Sequence, residues 1–169
     1  MQKEDIQKKF KHLFETLLSD EFLEMEALGG EIPFFISAYN AEQQHEIEKA
    51  VEGLQKKLKN KGIQVLEINL YDLLLKLIDR ELGLETTFEL EKELGQDEFK
   101  EALQAALDIE EVFMPSISQK IEENKAQIYF LTGIGLSFPI LRSHNILNNL
   151  QSVATEAPTL AFFPGEYNG

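Results

Sequence analysis

The chain has 169 residues, 43% of them hydrophobic and 27% charged, enough apolar material for one globular core. It contains no cysteine, which excludes disulfides and thiolate metal sites. Thirty acids against 16 bases give a net charge of −14, a surface that repels nucleic-acid backbones unless a basic patch offsets it.

No such patch is visible. The nearest group, Lys56, Lys57, Lys59 and Lys61, is interleaved with the apolar positions of a helix and offset by Glu48 and Glu52, the pattern of a solvated face. The N-terminal MQKEDIQKKFKH opens with charges, and no run of about 18 apolar residues follows. The expectation is a cytoplasmic protein with neither a membrane nor a direct nucleic-acid partner. Charge is also unevenly placed. Residues 128–169 carry only Arg142, Glu156 and Glu166, which marks that segment as core or covered surface.

In chain order, residues 3–28 have the spacing of an amphipathic helix or helix pair, with Ile6, Phe10, Leu13, Leu17 and Leu18 leading and Gly29-Gly30 as the stop. Residues 32–39, IPFFISAY, are a first buried strand with Pro33 near its start. Asn40 then caps a helix with Gln43 as its capping-box partner, and Ile47, Val51, Leu54 and Leu58 form the buried stripe. Lys61-Gly62 closes that helix, and IQVLEINL, 63–70, is a second strand parallel to the first in a βαβ unit.

Residues 71–124 are helical throughout, in short helices over 72–82, 86–94, 97–107 and 109–124. Thr86 with Glu89 and Asp108 with Glu111 match the capping pattern, and Asp97 is a third cap. Residues 128–132 and 159–163 are further strands, with a helix over 138–154 crossing between them. The expected fold is one α/β domain over 1–169, a mostly parallel sheet of about four strands flanked by helices. Its layout is Rossmann-like or P-loop-like without a P-loop, with 1–30 as a helical arm and 72–124 as a helical insertion.

Gly133-Ile134-Gly135 joins a strand to a helix, where dinucleotide folds hold pyrophosphate. The third glycine of that fingerprint is replaced by Phe138, and no Gly-Lys-Ser or Gly-Lys-Thr loop occurs. In the following helix, Ile140, Ile146, Leu147, Leu150, Val153 and Ala154 share an arc toward the sheet. His144, Asn148 and Gln151 lie on one flank, with Arg142, Asn145 and Asn149 on the other. Other helix faces in the chain are filled with Glu and Lys, whereas here the polar positions are amides, one imidazole and one guanidinium. Such groups suit a packed internal network, a protein-contact surface or a ligand site.

His144 has the chemistry of a general base, but its neighbour Ser143 points about 100° away on a helix and no orienting carboxylate is at hand. His12, His45 and His144 lack metal-ligand spacing. No catalytic, cofactor-binding or metal residue is assigned. Near the end, FFPGEY closes the last strand in a Pro164-Gly165 turn, with Glu166 placed to pair with Arg142 if the strand's end faces that helix.

PFFISAY, VLEINLYDL, FLTGIGLSFPILRSHNILNNLQ and FFPGEY, in this order, resemble the BrxB family, small components of BREX bacteriophage-exclusion systems. The likeness runs from about residue 10 to 167 and is most specific in the last 40 residues. Family members continue a few dozen residues past FPGEY, so this chain is expected to be short for its family. The resemblance implies a non-enzymatic adaptor that engages the phosphatase-like PglZ protein, with the methyltransferase and the large ATPase as further partners. It implies no catalytic residues. The motif positions it marks as structural or interacting are Thr132, Gly133, Gly135, Arg142, Ser143, His144, Asn145, Asn148, Asn149, Gly165 and Glu166. A degenerate nucleotide-binding module is the alternative, and self-association as a homodimer stays open.

Overall fold

The computed structural model describes residues 1–23, 34–138 and 140–166. The sequence-based stop at Gly29-Gly30 and the strand start at Ile32-Pro33 lie outside them. Helices α1 (Ile6–Leu17) and α2 (Asp20–Leu23) come first, followed by strand β1 (Phe34–Tyr39). Asn40 turns the chain into a 3-10 turn, Ala41–Gln43, and then α3 (Gln44–Asn60). Asn40 does cap, accepting from the Glu42 N–H at 2.9 Å, but Gln43 does not return to it. Gln43 instead bonds both backbone groups of Glu4, across 39 residues, which the capping pattern had no means to register. At the far end of α3, Gly62 takes a φ of +81°. Its N–H meets Lys59 O while the Ile63 N–H reaches back to Leu58 O, a Schellman closure.

Strand β2 (Val65–Asn69) leads directly into α4 (Leu70–Glu81), then α5 (Leu84–Glu93), α6 (Gln96–Ala106), a π-helical turn (Ile109–Phe113) and α7 (Met114–Glu123). Two expected caps are corrected. Gly83 precedes α5 and Gly95 precedes α6, so Thr86 and Asp97 lie inside their first turns. Asp108 caps as expected, accepting from the Glu111 N–H at 2.9 Å. Strand β3 (Ile128–Thr132), the short helix α8 (Ile134–Ser137), α9 (Ser143–Val153) and β4 (Thr159–Pro164) complete the order. The helix expected over 138–154 therefore starts only at Ser143, and a separate short helix, α8, lies before the expected range. The break falls around 138–142, where Phe138 is extended and Arg142 precedes α9 with β-region dihedrals.

Among the described residues all strand pairings are parallel and the strand order is β1-β4-β3-β2. The strands joined by α3 are thus parallel but stand at opposite edges. The sheet is covered on both faces, so its central strands are apolar at successive positions rather than alternating. Ile128, Phe130, Leu160 and Phe162 face α1 and α3, where Phe10 stacks on Phe162 with ring centroids 5.8 Å apart. Tyr129, Leu131 and Ala161 face the other layer, built from α4, Leu103, Leu107, Phe113, Ile117 and the buried stripe of α9. The edge strands are less buried, as their outer sides require. Among the described residues no helix is long and apolar enough to cross a membrane.

Candidate functional site

The carboxyl ends of the four strands converge on one side of the molecule, where open parallel sheets bind ligands. A crevice of about 480 Å³ opens there between α3 and α4. Its lining includes Glu48, Glu52, Glu67 and Asp72, with Tyr39 and Thr132 at the strand ends. Glu67 is held on both carboxylate oxygens, by the Thr132 hydroxyl at 3.0 Å and by the Gln55 amide. Tyr39 is buried and donates to Gln44; burial, reinforced by the Glu48 charge, pushes its phenol up to about 12.

The glycine turn sits beside this crevice, and each glycine has a packing reason. Gly133 adopts a left-handed φ of +73°, and a Cβ there would lie 2.4 Å from Asn69 Oδ1 and 2.8 Å from Tyr71 N. Asn69 is the N-cap of α4, accepting from the N–H groups of Tyr71 at 3.0 Å and Asp72 at 3.2 Å. A Cβ on Gly135 would lie 2.8 Å from Pro164 Cγ. The turn is therefore pressed between the start of α4 and the end of β4. Gly165 (φ +91°) then sends its N–H to Tyr39 O at 2.6 Å, extending the β1–β4 pairing past Pro164.

Helix α9 settles one of the alternatives raised by its amides. Ile146, Leu147, Leu150 and Ala154 are buried in the core cluster that also holds Tyr129, Leu131 and Ala161 of the sheet, while Arg142, His144, Asn145, Asn148 and Gln151 are exposed and Asn149 is half-buried. The polar flanks are not a packed internal network, because every one of these positions except Asn149 is exposed. Asn149 donates to Asn145 O at 2.8 Å, holding its side chain along the helix. Arg142, Asn145 and Asn149 line a polar groove with Asp108 and Glu110. His144 is exposed rather than partly buried as a packed histidine would be, and with Arg142 it borders a second, apolar groove. Ser143 opens α9. No ion pair joins Arg142 to the exposed Glu166 among the described residues, so that expected pairing is not formed.

The apolar groove was not legible in the sequence. Leu136 is 51% exposed and Phe138 65% exposed, although both sit in a segment whose poverty of charge left core and covered surface equally open. The one available signal was that neither belongs to the helical stripe that begins at Ile140. Among the described residues no group of three or more His, Asp or Glu could hold a metal ion.

Fold and site together define a parallel α/β domain with an acid-lined crevice at the carboxyl edge and, next to it, a helix exposing amides beside bare apolar residues. A family model described as "BREX protein BrxB" matches residues 66–169. A BREX protein BrxB of Bacillus cereus (strain H3081.97) is 30% identical over 168 residues, covering 97% of this chain and 86% of that protein. One from Escherichia coli O9:H4 (strain HS) is 26% identical over 150 residues, covering 89% and 74%. The chain belongs to the BrxB family of BREX phage-defence systems. No solved structure matches it at a significant level.

Proposed function

We propose that this chain is a non-enzymatic assembly subunit of a cytoplasmic BREX complex that docks the PglZ-type protein through the exposed side of α9. Family membership implies other BREX components as partners, and the methyltransferase and ATPase are proposed as further partners beyond PglZ. The observation that carries the docking reading is the exposure of a nearly uncharged helix face in a chain of net charge −14. Amides lose less on desolvation than carboxylates or ammonium groups and still give directional bonds, and protein interfaces are depleted of charge at their centres. A nucleotide reading draws less support. Four carboxylates line the crevice, a poor setting for a polyphosphate, and the glycine turn is packed against Asn69 and Pro164.

Co-purification of the full chain with the PglZ-type protein of the same system is the direct test. Arg142→Ala and Asn149→Asp are each expected to weaken the association about tenfold or more while the free chain stays folded, with Tm unchanged in Arg142→Ala and slightly lowered in Asn149→Asp by loss of the bond to Asn145 O. Normal binding by both variants would move the contact surface elsewhere. No association of the wild-type chain would reject the adaptor reading itself.

A further inference from the structure

The apolar groove beside α9 differs from the other clefts around it. Its space, about 770 Å³, is walled by Ile134, Leu136, Phe138, Phe163 and Pro164, with Arg142 at its border. The crevice at the strand ends carries four carboxylates, and the polar groove on the other flank of α9 carries Asp108 and Glu110. Among the described residues the apolar groove has no acid in its lining, in a chain with 30 of them. The fixed charge in its described lining is Arg142, the one Lys or Arg in residues 128–169. A bare apolar surface bordered by a cation, on an otherwise anionic molecule, is complementary to an apolar segment that carries negative charge.

We infer that this groove anchors an acidic amphipathic segment of the partner protein, its apolar side chains on Leu136 and Phe138 and a carboxylate on the Arg142 guanidinium. The inference rests on the docking reading and deepens it, since α9 then supplies the polar rim and the groove the desolvated centre. A guanidinium takes a carboxylate in a two-pronged bond that a lysine does not reproduce, so the arginine also sets orientation. A basic or purely polar segment would leave Arg142 repelled or the two large apolar side chains wet. A second copy of this chain would bring another strongly acidic body against the whole face and not only against the cation.

The test uses the full chain and the PglZ-type protein, with affinity measured by biolayer interferometry at several salt concentrations. Leu136→Ser and Phe138→Glu are each expected to weaken binding by at least tenfold. Arg142→Glu should do the same, with Arg142→Lys intermediate and the salt dependence flattened in Arg142→Gln. Phe88→Glu, at a side chain 59% exposed on α5, is the control and should bind like wild type. A photo-crosslinking p-benzoylphenylalanine at position 138 should capture a partner peptide with a carboxylate within about one helical turn of its apolar residues. Wild-type binding with unaffected groove variants overturns the groove assignment and leaves the adaptor reading standing; absent wild-type binding removes both. Capture of a basic segment, or of a second copy of this chain, overturns the stated occupant.

Discussion

Replacing Gly133 with alanine separates a packing turn from a ligand cradle. Two costs are expected. The left-handed φ of +73° penalises any L side chain by about 1–2 kcal/mol. The new methyl also displaces the Asn69 side chain, whose oxygen lies 2.4 Å from the Cβ position, and so uncaps α4 at a further cost of about 1 kcal/mol. The sum, about 2–3 kcal/mol, corresponds at this chain length to a fall in Tm of about 4–12 °C. Asn69→Ala alone should cost about 1 kcal/mol. Because both variants remove the same cap, the double mutant should be no worse than Gly133→Ala, a coupling of about 1 kcal/mol in the cycle. Urea unfolding followed by circular dichroism measures all four proteins. Additive effects, or a Gly133→Ala cost below about 0.5 kcal/mol, would refute the claim that the turn exists to seat α4.

Two further outcomes follow from individual residues. Gly53 lies inside α3 with nothing within 4 Å of a Cβ, so Gly53→Ala should stabilise the chain by up to about 1 kcal/mol, read as a rise of about 2–4 °C in Tm. Tyr39 should ionise near pH 12, later than an ordinary phenol, in an ultraviolet titration from which Tyr39→Phe removes that step. Because its folded pKa lies above the unfolded value of about 10, its contribution to stability is complete below pH 10. It is lost as pH rises through the folded pKa, and Tyr39→Phe should flatten the decline over about pH 10–12. An equal decline in both proteins would contradict the burial argument.

Local regularities carried much of the fold. The stripe Ile47, Val51, Leu54, Leu58 is buried as its spacing requires, the Lys61-Gly62 stop is a Schellman turn, and the Asp108 cap is made. These depend on neighbours within about one helical turn, which is why sequence alone reached them. The same local logic failed at Gln43, Thr86 and Asp97, where a capping pattern was present but competing partners or adjacent glycines set the boundary.

By itself, the sequence determined a parallel α/β chain and a charge-poor final segment in which an amide-bearing helix follows a glycine turn. It also held the residues that mark the family, because residue order survives independently of packing. Only the tertiary structure decided the strand order, which depends on contacts between segments far apart in the chain. Only it turned the amides outward, since hydrophobic spacing defines an arc but not what covers the remaining faces. It also decided that the two glycines admit Asn69 and Pro164, and that Leu136 and Phe138 stay uncovered beside Arg142. Low charge in a sequence is compatible with core or with a surface awaiting a partner, and only the positions of the surrounding elements separate the two.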